Sequence, residues 1–355
     1  MKPEPTLLEP IFSPRIWGSR SLAPLFPEKS NLSEPLGEAW LTGRECRIVN
    51  GPHAGRTLGA AWKEMPAEWR GTRLLGEAEF PLLAKFIFPE DKLSIQVHPD
   101  DAYASRHEAA AGGRGKTEVW YAVAARPGAT LLLGFRKGVT PEQLCQALPS
   151  GDLEEMFERV NVSAGDVIFV PAGTPHTIGP GMVLCEIQEY SDLTYRVYDY
   201  NRRDSSGRPR ELHVGKALAV MNFGASRGGK IPSVQQQAGA LKKTYCAACP
   251  YFAVEKWEFL EAVGGATGAG QFEVLIFLSG SGRIRSGDSE KEYRAGQAWL
   301  LPASLGKYGL VPQSVPRSAS GTALLRAYVP ELKEFEQKLA RAGLPGTAVS
   351  RIVFA

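Results

Sequence analysis

The sequence predicts a mainly β protein, two barrels in tandem with a few short helices, on three observations. Its 38 glycines and 26 prolines in 355 residues cut the chain into many short segments. The segments between them are brief runs rich in Val, Ile, Leu and Phe, the pattern of sandwich and barrel strands. That pattern stops once, over a Gly-, Ser- and Gln-rich stretch at 224–240, and then resumes, as two units joined by a linker would. The length allows each unit its own core.

In chain order, strands are predicted at 81–88, 93–98, 117–123, 129–134, 166–170 and 182–189. Residues 100–110 (DDAYASRHEAA) read as a helix capped by Asp100 or Asp101. Residues 140–148 read as a second, with Thr140 as N-cap, Pro141 in the first helical position and Gln143 at N3. Residues 152–159 and 213–222 also favour helix. Beyond the linker come strands at 251–260 and 271–278, a Gly-rich turn at 279–282, strands at 297–301 and 322–328, and a closing helix at 330–342. The predicted units are therefore 1–223 and 241–355.

Composition excludes several classes. Lys and Arg total 41 against 38 Asp and Glu, a formal net charge of +3 without basic runs, too mild a balance for nucleic-acid binding. No apolar run approaches the roughly 18 residues that span a bilayer. The start, MKPEPTLLEP, lacks the basic and apolar regions of a signal peptide, and five cysteines make no disulfide framework. Cys246 and Cys249 form a lone C-x-x-C with no further ligand nearby, read as two plain thiols. The expectation is a cytoplasmic protein, a monomer or weak homo-oligomer, with a small-molecule partner.

The chemistry concentrates in GDVIFVPAGTPH, residues 165–176, spaced G-x5-P-x-G-x2-H. An apolar strand enters a turn stiffened by two prolines, and His176 leaves it. Gln96 and His98 are two apart on another predicted strand, so they share a face. Glu118, in GKTEVWY, lies on a third. Two imidazoles, a carboxylate and an amide oxygen suit Zn²⁺, and also Mn²⁺, Fe²⁺ or Co²⁺. The remaining histidines, His53, His107 and His213, read as structural.

G-x5-P-x-G-x2-H resembles the second signature of the cupin superfamily. With LSIQVHPDD (93–101), GKTEVWY (115–121), VPAGTPHTIG (170–179) and EYSDLTYRVYDYNRRD (189–204), the chain resembles type I mannose-6-phosphate isomerase (phosphomannose isomerase) in its short bacterial form. The resemblance implies two cupin-like jelly-roll barrels with the metal site in the N-terminal one. It implies one zinc ion held by Gln96, His98, Glu118 and His176. It places a catalytic arginine at Arg196 and pocket lysines at Lys85 and Lys116. The implied activity interconverts mannose 6-phosphate and fructose 6-phosphate through an enediol, so the partner is a hexose phosphate. Lys116, two residues before Glu118, is expected to share its face and move protons. Lys85 and Arg196 are expected at substrate, and Arg202 at its phosphate. Another metal-dependent cupin enzyme, such as an oxygenase, and a non-catalytic sugar-phosphate-binding cupin remain the alternatives.

A faint internal repeat supports two barrels of one type. Gly296–Lys307 reads GQAWLLPASLGK, with Pro302 where Pro171 falls and Lys307 where His176 falls. On that alignment the second barrel keeps the strand and turn without the ligand, and the chemistry belongs to the first barrel alone.

Overall fold

The chain folds into two barrels, each with one large and one small antiparallel sheet, the two large sheets in the same strand order (a computed structural model describes residues 2–204, 206–224, 228–313 and 321–355). In the first barrel the large sheet runs Gly229–Ile231, Val167–Val170, Glu118–Ala125, Met182–Glu189, Leu82–Ile87, Leu36–Trp40 and Ile11–Ser19. In the second it runs Thr6–Leu8, Ala298–Leu301, Glu273–Ser279, Thr322–Tyr328, Ala253–Phe259, Leu241–Ala248 and Val234–Ala238. In the small sheets, Ile95–Val97, His176–Ile178, Thr130–Phe135 and Phe157–Asn161 correspond in order to Val263–Ala266, Lys307–Pro312, Ser281–Ser286 and Ser289–Arg294; the first sheet adds Tyr195–Tyr198 as a fifth strand. This is the mainly β, two-barrel architecture that the sequence predicts.

The barrels are laced together at their edges. Thr6–Leu8, from the start of the chain, pairs with Ala298–Leu300 of the second barrel. Gly229–Ile231 pairs with Val167–Phe169 of the first. The stretch read as a linker thus carries two short strands, one serving each barrel, while its residues 225–227 lie outside the described residues.

Local signals act as expected in most helices. Asp101–His107 is capped by the Asp100 side chain. Pro141–Ala147 has both halves of the Thr140–Gln143 capping box. Val214–Val220 and Leu332–Arg341 form where helix is predicted. Residues 152–159 do not: after a single 3-10 turn at Glu154–Met156, Phe157–Asn161 is a strand paired with Thr130–Phe135. Phe157 is fully buried there, and sheet pairing overrides the helix preference of DLEEMFE.

The five cysteines are free; Cys246 and Cys249 are buried, and burial pushes both thiols up to about 12, which makes them inert. Among the described residues, no helix is long and apolar enough to cross a membrane.

Candidate metal centre and its cavity

The candidate site lies between the two sheets of the first barrel. The small sheet supplies Gln96 and His176, and His98 follows directly on the strand Ile95–Val97; strand register sets His176 directly opposite Gln96. The large sheet supplies Glu118, paired with Val170 on one side and Gln188 on the other. His98, Glu118 and His176 are all buried, and their ligand atoms lie within 4.8 Å of one another.

Each imidazole is oriented by a backbone carbonyl. His98 Nδ1 lies 2.7 Å from the Leu193 oxygen and His176 Nδ1 2.9 Å from the Thr174 oxygen. Those contacts require the proton on Nδ1, so both Nε2 atoms present lone pairs, approached by Lys116 Nζ at 3.4 Å (His98) and by the Gln96 amide at 3.2 Å (His176). His98 Nε2 then faces Glu118 Oε1 at 2.8 Å, acceptor against acceptor. A proton on His98 does not resolve the clash, because burial and the Lys116 charge push its pKa down to about 3. Burial lowers His176 as well.

Glu118 stays ionised. Burial works to raise its pKa, but the Lys116 ammonium and the neighbouring imidazoles outweigh it and hold the carboxyl well below the usual range. Lys116 Nζ is 3.2 Å from Glu118 Oε1, yet that oxygen has no hydrogen-bond partner among the described residues. Two lone pairs and an unsatisfied carboxylate oxygen converging in a buried space are what a divalent cation requires, so these residues fit a metal. The Gln96 amide is 3.2 Å from His176 Nε2; turned over, it would offer its oxygen to the same point.

A cavity of about 460 Å³ opens beside this cluster. Its lining includes five cations, Arg15, Lys85, Lys116, Arg196 and Arg210, against the carboxylates Glu38, Glu186 and Asp192. The lining therefore carries a formal excess of two positive charges. A larger cavity of about 770 Å³, lined by Tyr121, Lys256, Glu258 and Thr322 among others, includes none of the cluster residues.

The sequence-predicted residues fall as follows. Lys116 is buried, 3.2 Å from Glu118 Oε1 and 3.4 Å from His98 Nε2, so the shared face is real. Lys85 is buried on the large sheet, 2.9 Å from Glu186 Oε1. Burial works against its charge, but Glu186 and Glu38 outweigh it and hold it cationic. Arg196 lines the cavity opposite Gln96 in the small sheet. Its Nη1 donates to the Glu211 oxygen at 2.8 Å and its Nε has no hydrogen-bond partner among the described residues; it makes no ion pair with Asp192 or Asp199. Burial and the nearby Arg210 lower its pKa from the ordinary arginine value.

Arg202 is the exception. It does not line the cavity; its guanidinium is engaged by Asp199 at 2.6 Å and Asp91 at 3.2 Å. Asp199 also accepts from Arg210 Nε at 2.7 Å, and it is Arg210 that reaches the cavity. Arg202, expected at the phosphate, thus stands behind Asp199, and Arg210 occupies the cavity wall.

Sequence reasoning missed Arg210, Arg15, Glu38 and Glu186. Glu186 had a signal: a carboxylate within the apolar strand MVLCEIQE, which register sets opposite both Lys85 and Trp120. Burial and the Glu118 charge push its carboxyl up to about 7.

The fold and site define a two-barrel cupin with a buried nitrogen–oxygen metal cluster opening on a cationic cavity. Comparison with known proteins refines that class. Residues 7–121 match the model of the phosphomannose isomerase type I catalytic domain. A mannose-6-phosphate isomerase of Bacillus subtilis (strain 168) is 34% identical over 324 residues, 87% of this chain and 96% of the relative. The crystal structure of the mannose 6-phosphate isomerase from Bacillus subtilis superposes with a TM-score of 0.79 at 30% identity, covering 91% of this chain and 99% of that one. A zinc-bound holo mannose 6-phosphate isomerase shares the fold, with a TM-score of 0.70 at 16% identity over 92% of this chain and 99% of that one. The chain belongs to the type I mannose-6-phosphate isomerase family.

Proposed function

We propose that this protein is a zinc-dependent aldose–ketose isomerase that interconverts mannose 6-phosphate and fructose 6-phosphate through an enediol. The observation that carries the reading is the buried meeting of His98 Nε2 and Glu118 Oε1, two acceptors at 2.8 Å beside a cavity with excess positive charge. Family membership supplies the substrate.

Gln96, His98, Glu118 and His176 are the residues that would hold the zinc ion. Bound there, it would act as a Lewis acid that lowers the cost of negative charge on sugar oxygens. The chain's own groups do the rest. Arg196 and Arg210 are fixed cations on one wall, suited to the phosphate and to a developing oxyanion. Lys85, kept charged by Glu186 and Glu38, holds sugar oxygens from the opposite wall. Glu186 lies 2.9 Å from Lys85 Nζ and 3.8 Å from Lys116 Nζ. With a carboxyl near neutrality, Glu186 and Lys116 form the pair that accepts the C2 proton and returns it at C1. Arg202 acts one step back, fixing Asp199 and through it Arg210.

The alternative readings lack such support. The five cations lining the cavity suit an anionic sugar phosphate, and a pure binding protein has no use for a proton-handling pair. The test is an assay for fructose 6-phosphate with the zinc-loaded protein, offered mannose 6-phosphate and free mannose. Turnover of the phosphorylated sugar, with free mannose at least 100-fold poorer, is expected. No interconversion of either sugar would contradict the reading.

A further inference from the structure

We propose that Trp120 is a positioning residue of the metal centre, an inference that rests on the metal reading above. Trp120 stands two residues after Glu118 on the same strand, so both side chains face the barrel interior. Its indole Nε1–H donates to Glu118 Oε2 at 2.6 Å, and both residues are buried. This is the one side-chain hydrogen bond to that oxygen among the described residues. An indole has a single donor and no acceptor, so it engages Oε2 and leaves Oε1 as the atom aimed at His98 Nε2. The same ring lies against His176, centroids 5.2 Å apart with the planes at 73°. One side chain therefore touches two of the three clustered ligands. Trp120 otherwise belongs to an apolar cluster with Leu131, Ile178 and Leu184 among its members, none of which could satisfy Oε2 in its place.

The device recurs away from the cluster. Trp40 Nε1 donates to Glu38 Oε2 at 2.8 Å, and Trp257 Nε1 to Glu255 Oε2 at 2.9 Å, each across the same two-residue step. An acid followed two positions later by tryptophan is this fold's way of seating a buried carboxylate. At Glu118 it also selects which oxygen is free. Partners of this kind orient first ligands and tune their affinity.

The test compares zinc affinity, by competition with a chromophoric chelator, in the wild type, Trp120→Phe and the control Trp257→Phe. Phenylalanine keeps a ring against His176 and removes the N–H. The expected result is zinc binding weakened roughly 10–100-fold in W120F, with W257F like the wild type. A purely structural role would lower the melting temperature of both variants and leave the zinc affinity of folded W120F unchanged, and that result overturns the proposal. A wild type that takes up no zinc overturns the metal reading and this proposal with it. Tight zinc in both the wild type and W120F overturns this proposal alone. If W120F does not fold, ¹⁵N-indole spectra of the wild type serve instead. Zinc added to the metal-free protein must shift the Trp120 Nε1–H signal and leave that of Trp257 in place; an unmoved Trp120 signal overturns the proposal.

Discussion

Lys85, Lys116, Glu118 and Glu186 bury four formal charges within one barrel, and burial on that scale is tolerated only when each charge meets an opposite one. Removing a single member therefore separates roles. His176→Ala deletes a lone pair from the cluster and is expected to abolish both zinc retention and isomerase activity. Arg196→Ala leaves the cluster whole; it should keep its zinc and lose about 10²–10³-fold in kcat. Metal content and turnover measured on the same samples check both, and a fully active R196A would remove that arginine from the chemistry. Glu189 supplies a pH-dependent outcome. Burial and the Asp101 charge push its carboxyl up to about 8 from an ordinary 4.5. A raised acid is neutral in the folded state, so its contribution is fully present below about 4.5 and is lost as pH rises through about 8. Melting temperatures from pH 5 to 9 should fall more steeply for the wild type than for Glu189→Gln. His98, His176 and Glu118 were legible in the sequence because each sits in a short local motif. Glu38 and Arg210 were not, and Glu186 only as a carboxylate in an apolar strand, because what gives them a role is sheet pairing and loop closure between distant segments.

Local chemistry decides single elements where no sheet competes for them. The helix Pro141–Ala147 is specified by its own N-terminus: the Thr140 hydroxyl accepts from the Gln143 N–H, and the Gln143 side chain accepts from the Thr140 N–H. Thr140→Ala should cost about 1 kcal/mol of stability, seen as a lower melting temperature with zinc content unchanged. Residues 152–159 show the opposite case. Their helix formers give way because Phe157 gains full burial by pairing with Phe135. The turn repeat was read correctly in outline and one residue out in detail. Lys307, aligned with His176, is exposed, and Tyr308 turns inward instead. A side chain on Gly265 would collide with its ring. Alignment on glycine and proline places the turn, but which residue faces inward depends on strand register.

The two barrels share one plan and differ in what fills the centre. Glu273 pairs with Leu301 as Glu118 pairs with Val170, and Arg326 stands opposite Leu275 as Glu186 stands opposite Trp120. Glu255, opposite Arg326, takes the place of Lys85. In the second barrel, then, Arg326 supplies positive charge beside the glutamate that corresponds to Glu118. Arg326 Nε donates to Glu273 Oε2 at 2.8 Å, Tyr308 donates to the same oxygen at 2.8 Å, and Arg326 Nη1 lies 3.0 Å from Glu255. Only His98, Glu118 and His176 form a metal-competent cluster among the described residues. Arg326→Met leaves buried Glu273 without a cation, while Glu255 keeps Lys338 at 3.2 Å, and should cost about 3–5 kcal/mol. Denaturant unfolding would read that loss, while metal analysis of the folded variant should still find the wild-type zinc content.

The most direct test of a zinc isomerase confined to the first barrel is a titration. Metal-depleted protein receives zinc in steps, and bound zinc and conversion of mannose 6-phosphate to fructose 6-phosphate are recorded together. The account predicts no turnover without zinc and a linear rise to a plateau at one zinc per chain. Full turnover in the metal-depleted protein, or a plateau reached only at two zinc ions per chain, would contradict it.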